Sequence, residues 1–372
     1  MMNQRERFVA CMKFEPVDHV PDREFGYWDD TFTRWHEEGL PEEINNNTVA
    51  DPFFGFESRM TVPAAVGMMP SFEGRVLEET EEHRIVQDSE GVKKIIYTDG
   101  ASTIPRYLEF PIKDRASWEQ FKERLRIDDP ARYRDDWEEI AERTRTSEVP
   151  VQINGGSLFG RLRNWIGFEQ IAIMCYDDPE LLVEMIEHMC RLACAVIEPA
   201  VEAGCEVDCG AFWEDINFKQ GCIISPKFFH EWLTPRYQRI TDLMYEMGAV
   251  TCYVDSDGNI TDVLDGWLAG GVTCMFPVEV AAGSDPIAIR EQWGREVLMM
   301  GGVNKRALAA GRDAIDEELA RLKPLVDEGG FIPHVDHRVP PDVSYDDYLY
   351  YLRAKRELFG IPEPTDAPMF NT

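Results

Sequence analysis

Six short apolar runs between residues 149 and 336 alternate with longer segments of helical periodicity. The runs are rich in β-branched, aromatic and sulfur-containing side chains, a composition typical of buried strands. They read VPVQI (149–153), EVDCGAFW (206–213), AVTCYVD (249–255), GVTCMFP (271–277), EVLMMGG (296–302) and GGFIPHVD (329–336). Two intervening segments, 178–204 and 225–248, space their apolar residues as helices do and stop at glycine. This alternation predicts parallel strands joined by crossover helices.

The first 115 residues follow a different pattern. Residues 74–100 alternate apolar and polar side chains around Ser-Glu-Gly, which predicts an antiparallel hairpin. Residues 112–146 form a charged amphipathic stretch that leads into the first regular unit. We find neither a linker nor an internal repeat that would divide the chain. We therefore predict one domain over residues 1–360, with an N-terminal elaboration at 1–115 and a frayed tail at 361–372.

Composition narrows the class of protein. A chain of 372 residues with 44% apolar and 29% charged residues suits a packed globular fold, and a (β/α)8 barrel of this length is ordinary. The 69 acidic and 38 basic residues give a net charge of −31, which argues against nucleic-acid binding. Nine scattered cysteines without a CxxC pair, and no long apolar segment, predict a cytoplasmic protein with reduced thiols and no membrane span.

Polar residues follow every predicted strand. In parallel α/β folds the carboxyl ends of the strands meet at one face, where catalytic groups gather. Each residue alone would also serve as a helix cap, but together they predict a functional pocket. The residues that follow the strands are Asn154, Glu214 with Asp215, Asp255 with Asp257, Glu279, Asn304 with Lys305, and Asp336 with His337.

The acidic members of this group leave two chemistries open. Asp255 and Asp257 are two residues apart, so both carboxylates project to the same face of the strand end. With Glu214 and His337 they offer the oxygen and nitrogen ligands that zinc, manganese or iron accept. The same four residues would equally form a proton-sharing acid/base cluster.

Five blocks of the sequence carry a resemblance to a known family: FWEDINFKQGCIISPKFFHEWLTPRYQRI, DSDGNITDVLD, FPVEVAAGSDPIAIRE, LMMGGVNKRAL and VDHRVPPDVSYDDYLYY. The resemblance covers residues 150–358 well and the segment RERFVACMKFEPVDHVP at the start more loosely. With these blocks the chain resembles the uroporphyrinogen decarboxylase-like superfamily, and within it the corrinoid-dependent methyltransferase branch. The resemblance implies a distorted (β/α)8 TIM barrel.

Two departures from family patterns shape the functional prediction. The decarboxylases carry an arginine-rich RQAGRY segment where this chain has PDREFGYWDD, and Asp22 and Glu24 beside Arg23 are expected to repel a substrate with many carboxylates. Thiol-specific methyltransferases of the superfamily have a His-x-Cys pair and a Cys as zinc ligands, where this chain has Asp255, Asp257 and His337. This harder donor set suits an oxygen atom better than a thiolate.

The resemblance therefore implies an enzyme similar to methyltransferase I of anaerobic O-demethylase systems. It would move a methyl group from an aryl methyl ether to the Co(I) of a separate corrinoid protein, since the chain lacks a cobalamin-binding DxHxxG loop. The catalytic residues would be His337, Asp255 and Glu214, and a metal such as zinc would be held by these three with Asp257.

The remaining predictions concern substrate contacts and alternatives. Tyr27 and Trp28, from an aromatic-rich N-terminal segment, are expected to contact substrate together with Asn154, Glu279 and Asn304. Three alternatives stay open: a decarboxylase, methyl transfer from another donor such as a methylamine, and a non-catalytic binding protein on a retired barrel. The sequence leaves the oligomeric state open, with a homodimer among the options.

Overall fold

A computed structural model describes residues 2–97 and 105–364. Its centre is a sheet of seven parallel strands in the order β1-β6-β7-β10-β11-β12-β13. These strands are β1 (Met60–Val62), β6 (Val151–Gly156), β7 (Cys209–Trp213), β10 (Thr251–Asp255), β11 (Cys274–Phe276), β12 (Leu298–Val303) and β13 (Phe331–Val335). All six predicted strands are confirmed, and the distorted (β/α)8 TIM-barrel class is confirmed with them. The three-residue β1 was not predicted.

Helices cover the outer face of the sheet, and both predicted long helices are present. The second of them contains a single π-helical turn at Phe229–Leu233. The helices are α1 (Gln4–Met12), α2 (Asp29–Glu37), α3 (Asn47–Phe54), α4 (Arg115–Lys122), α5 (Trp137–Arg145), α6 (Gly160–Ile166), α7 (Phe168–Asp177), α8 (Pro179–Glu202), α9 (Pro226–Phe228), α10 (Thr234–Glu246), α11 (Leu264–Ala269), α12 (Pro286–Trp293), α13 (Lys305–Ala310), α14 (Arg312–Glu328) and α15 (Tyr345–Phe359). Within the described ranges, no helix is long and apolar enough to cross a membrane.

The outer layer packs closely against the sheet. A Cβ on Gly210 of β7 would lie 2.3 Å from the Met244 sulfur of α10 and 2.7 Å from the Cys252 sulfur. Only glycine fits at this contact, because the helix approaches the strand backbone directly. The parallel ladder between β7 and β10 pairs Trp213 with Asp255, and this register places the acidic residues at the two strand ends side by side.

An extended segment at residues 20–27 occupies the gap between the edge strands β13 and β1. On one side the N–H of Glu57, which precedes β1, donates to the Asp22 carbonyl at 2.9 Å. On the other side the N–H of Val339, which follows β13, donates to the Gly26 carbonyl at 2.9 Å. The segment thereby closes the wall of the barrel at the eighth position, with only isolated backbone hydrogen bonds.

The N-terminal elaboration contains a separate antiparallel sheet, as predicted for residues 74–100. It has four strands, because β2 and β5 extend the predicted hairpin of β3 and β4 on either side. The predicted segment runs beyond the described residues at 98–100, and the end of the predicted tail, 365–372, also lies outside them. The strands are β2 (Arg75–Glu79), β3 (His83–Gln87), β4 (Lys93–Tyr97) and β5 (Arg106–Glu109), and a two-stranded ribbon is formed by β8 (Asn217–Phe218) and β9 (Gly221–Cys222).

Candidate active site

A cavity of about 420 Å³ opens at the carboxyl ends of the parallel strands. Part of its wall is built from side chains at alternate strand positions, because a strand shows every second residue to the same face. On β10 these are Tyr253 and Asp255, and on β7 they include Ala211 and Trp213. Phe25 from the closing segment contacts Phe276 with ring centroids 4.6 Å apart. The cavity therefore combines aromatic walls with a carboxyl group.

Asp255 presents an unusual carboxyl group to this cavity. Burial, together with the charges of Asp257 and Asp215, raises its pKa to about 7. Its side chain has no hydrogen bond to any residue in the described ranges, although its carbonyl accepts from the N–H groups of Glu214 and Asp215 at 2.9 and 3.3 Å. Asp255 therefore carries an available proton near neutral pH.

His337 and Asp257 form a hydrogen-bonded pair beside Asp255. The imidazole Nε2 lies 3.0 Å from Oδ2 of Asp257. Burial by itself lowers the pKa of His337, but the hydrogen bond and charge of Asp257 outweigh burial and raise it. The ring stacks on Trp28 at 5.3 Å between centroids and meets the edge of Phe25 at 5.5 Å. The imidazole is thus held in one orientation by a carboxylate and two aromatic rings.

Asp215 completes the acidic group, although the sequence favoured its neighbour Glu214. Its backbone has a φ of 48°, a left-handed conformation that aspartate tolerates better than most residues. Oδ2 forms an ion pair with Arg163 at 3.0 Å. Burial outweighs this ion pair and raises the pKa of Asp215, with a contribution from the charge of Asp257. The sequence could have identified Asp215, because Ala211, Trp213 and Asp215 are spaced two residues apart, as side chains on one face of a strand are.

Glu214 does not belong to this cluster, which corrects its predicted catalytic and metal-binding roles. It is fully buried on the opposite parity, where it holds the turn between β6 and α6. Its carboxylate accepts hydrogen bonds from five donors: the N–H groups of Leu158, Phe159 and Gly160 and the hydroxyls of Ser157 and Tyr237. Burial nevertheless raises the pKa of Glu214. Glu214 is therefore a structural residue, which fixes the turn between β6 and α6 through its hydrogen bonds.

The structure places only some of the residues predicted to contact substrate at the cavity. Asn154 lines the cavity, and Trp28 lies beside it on His337. Tyr27 is 1% exposed and its hydroxyl lies 2.6 Å from that of Tyr348, so it packs in the core. Glu279 forms an ion pair with Lys305 at 2.6 Å outside the cavity lining. Asn304 caps α13 by accepting from the Arg306 N–H at 3.0 Å, which is the alternative role open to any polar residue after a strand.

The predicted metal-binding set does not fit a metal in this arrangement. In the chain as described, no three His, Cys, Asp or Glu side chains are grouped closely enough to hold an ion. Glu214 is engaged elsewhere, and Nε2 of His337 is used by Asp257. The remaining cluster is suited to holding and moving protons.

The carboxylates beside Arg23, which were expected to repel a substrate with many carboxylates, have ion-pair partners of their own. Both pair with basic residues of the last helix, α15, although Glu24 also lines the cavity. Asp22 contacts Lys355 at 2.9 Å and Arg356 at 2.8 Å, and Glu24 contacts Lys355 at 2.7 Å. Arg23 itself lines the cavity, as do Arg59 and Arg338.

One solved structure and one protein family agree with the barrel. A methyltransferase from Methanosarcina mazei is 15% identical, with a TM-score of 0.59, over 96% of this chain and 100% of that one. A B12-independent methionine synthase from Shewanella sp. W3-18-1 is 13% identical over 61% of this chain and 67% of that one, with a TM-score of 0.38. No curated protein sequence matches. Residues 95–358 match the uroporphyrinogen decarboxylase (URO-D) family, and the chain therefore belongs to that family.

Proposed function

We propose that this protein is a methyltransferase that moves a methyl group from an aryl methyl ether to the Co(I) of a separate corrinoid protein. The carrying observation is Asp255, whose carboxyl group faces an aromatic cavity without a hydrogen-bond partner in the described chain and has a pKa of about 7. Such a group is a proton donor ready for a substrate atom. The nine cysteines are free, which suits the cytoplasm proposed as its location.

In demethylation of an ether, Co(I) is the nucleophile, so the contribution required from this chain is a proton for the leaving oxygen. The electron pair of Co(I) forms the new bond to the methyl carbon, and the pair of the broken C–O bond stays on oxygen. The product phenol has a pKa near about 10, by analogy with tyrosine. A carboxyl group with a pKa of about 7 can therefore deliver its proton to that oxygen as the C–O bond breaks.

The neighbours of Asp255 support this role. The charges of Asp257 and Asp215 help to keep the proton on Asp255 until the ether oxygen takes it. His337, with its raised pKa and its bond to Asp257, supplies a positive charge that stabilises the resulting Asp255 carboxylate. The cluster thus favours the neutral carboxyl before methyl transfer and tolerates its ionised form afterwards.

The cavity walls suit a single aromatic ring. Phe25, Phe276 and Trp213 offer faces and edges for ring packing, with Phe276 also 5.9 Å from Tyr253 between centroids. A volume of about 420 Å³ falls within the usual range for small-molecule pockets. The proposed acceptor is a separate corrinoid protein.

The test is turnover under anaerobic conditions. Guaiacol, veratrole and 4-methoxybenzoate are supplied separately with Co(I) cobalamin or a corrinoid protein, and methyl-Co(III) is followed by absorbance with the released phenol. We expect stoichiometric methylcobalt and phenol, and a loss of at least about 100-fold in rate for Asp255→Asn, in line with the usual contribution of a general acid. Asp135→Asn, at an exposed site, is the matched control. Absence of methylcobalt from ethers and from methylamines would refute the proposal.

Decarboxylation of a porphyrinogen is a second candidate, favoured by the family match and by the arginines that face the cavity. It predicts loss of carbon dioxide from uroporphyrinogen without any corrinoid. Measurement of the tetrapyrrole products by chromatography separates the two reactions, because only the proposed methyl transfer depends on cobalt.

A further inference from the structure

We infer that the active site has a second compartment, which binds an uncharged alkyl side chain of the methyl ether. The compartment is a second cavity of about 320 Å³ beside the first. The inference rests on the proposed function for the identity of the reaction, but the compartment is argued from its own residues. It narrows the substrate class from methyl ethers in general to methoxylated aromatics that carry such a chain opposite the methoxy group.

The second cavity adjoins the first at two residues. Asn154 of β6 and Trp213 of β7 line both cavities. Asp255 lines the first cavity, and Gly156 of β6 lines the second. The two cavities therefore meet at Asn154 and Trp213, and a ligand that extends past these side chains occupies both.

The lining of the second cavity contains apolar side chains and no unpaired charge. Ala64, Val66 and Met68 come from the loop after β1, and Met189 comes from α8. Among the described residues that line the cavity, the charged ones are Glu90 and Arg161, which form an ion pair with each other. Such a lining favours a neutral, mainly apolar group over an ion.

A few polar groups accompany the apolar lining. Ser71 and Ser89 contribute hydroxyl groups from exposed positions. Trp165 also lines the cavity, and its indole N–H is buried without a hydrogen-bond partner in the part of the chain that the structure describes. The cavity therefore suits a chain of carbon atoms that ends in a hydroxyl group.

Trp213, the wall shared by the two cavities, is held by two arginines. The guanidinium groups of Arg161 and Arg163 lie over its ring, at 5.1 and 5.7 Å from the centroid. Arg163 pairs with Asp215 of the acidic cluster at 3.0 Å, and Arg161 pairs with Glu90 in the turn between β3 and β4. The position of the shared wall is thus fixed from both sides.

The strand register gives the distance that a substrate has to span. Asp255 pairs with Trp213 between β10 and β7, and Phe212 pairs with Gly156 between β7 and β6. Two strand spacings therefore separate Asp255 from β6, or about 10 Å. A benzene ring with substituents on opposite carbons covers most of this distance. An ether oxygen at Asp255 thus directs the opposite substituent past Trp213 to the second cavity.

The test compares three ligands in the absence of cobalt. Binding of anisole, 4-(3-hydroxypropyl)anisole and 2-(3-hydroxypropyl)anisole to the full chain is measured by titration calorimetry. The two substituted anisoles contain the same atoms, but only the 4-isomer carries its chain opposite the methoxy group. We expect the 4-isomer to bind at least about 10-fold more tightly than the other two ligands, because each buried methylene contributes a factor of about four.

Two variants change the volume of the second cavity. Ala64→Phe should fill part of it and weaken binding of the 4-isomer by about 10-fold or more, while anisole binds as before. Ala309→Phe, at an exposed position of α13, is the matched control. Met68→Ala removes a partly buried side chain from the lining and keeps the test decisive if Ala64→Phe does not fold. It should weaken binding of the 4-isomer several-fold by loss of apolar contact.

The outcomes separate this inference from the proposed function. Equal affinities for the two isomers, an equal loss in Ala309→Phe, or unchanged binding in both cavity variants would each overturn the second compartment. A kcat/KM for methyl transfer from anisole equal to that from the 4-isomer would overturn the substrate inference alone. Cavity-dependent preference for the 4-isomer without methyl transfer from any ether would support the compartment and refute the proposed function.

Discussion

Replacing Asp255 with asparagine should make the protein more stable, and the gain should depend on pH. Asparagine keeps the shape of the side chain but cannot ionise. The pKa of Asp255 rises from 3.8 to about 7 on folding. The folded protein therefore keeps this proton between about pH 4 and pH 7, where the unfolded chain has released it.

The sign follows from proton uptake. Because the folded state binds more protons than the unfolded state in this window, the free energy of unfolding falls as pH rises from about 4 to 7. At about 1.4 kcal/mol for each pKa unit, the raised pKa of Asp255 lowers stability by about 4 kcal/mol above pH 7, where the carboxyl is ionised in both states, and by about 2 kcal/mol at pH 5, where folding must take up a proton. Asp255→Asn should remove this loss.

Urea denaturation of wild type and Asp255→Asn at pH 5, 6, 7 and 8 measures the effect, with tryptophan fluorescence as the signal. The stability difference should widen from about 2 kcal/mol at pH 5 to about 4 kcal/mol at pH 8. Asp135→Asn controls for the loss of one negative charge from an exposed site. A difference between Asp255→Asn and wild type that stays constant with pH would show that Asp255 is ionised throughout, and the proton-donor argument would fail with it.

Three further predictions follow from the same geometry. The kcat/KM for methyl transfer should fall above about pH 7, where Asp255 loses its proton, and a profile that stays flat to pH 9 would contradict this. Glu214→Gln should destabilise the protein by about 3 kcal/mol in urea denaturation, because an amide NH2 would face backbone N–H donors; an unchanged midpoint would speak against five internal hydrogen bonds. Lys355→Met should cost about 3 to 5 kcal/mol by leaving Glu24 buried without a cation and Asp22 with Arg356 alone, and a smaller cost in the same assay would mean that water reaches Glu24.

The two-residue period of the strands predicted much of the candidate site and could have predicted one more of its residues. The strand that ends at Asp255 and the strand that precedes His337 were identified from their apolar runs, and the two-residue spacing placed Asp255 with Asp257. The same rule applied to β7 selects Asp215 over Glu214, because Trp213 lines the cavity two residues earlier. A choice between Glu214 and Asp215 therefore required knowing which alternate positions of β7 face the cavity.

Other features depend on contacts between distant parts of the sequence. Asp22 and Glu24 are sequence neighbours of Arg23, so charge counting along the chain predicts that they neutralise it. Their actual partner Lys355 is more than 300 residues away. The closing segment at 20–27 was not predicted because it makes isolated backbone hydrogen bonds in place of a strand ladder.

The ion pairs between the closing segment and α15 also impose an order on assembly. Asp22 and Glu24 belong to the first part of the chain to leave the ribosome, and Lys355 and Arg356 to nearly the last. Until α15 docks, Asp22 and Glu24 lack the Lys355 and Arg356 side chains that bind them in the folded protein. A chain truncated before α15 would therefore lack the ion pairs that hold the closing segment, so the wall of the barrel is secured by the last helix to be made.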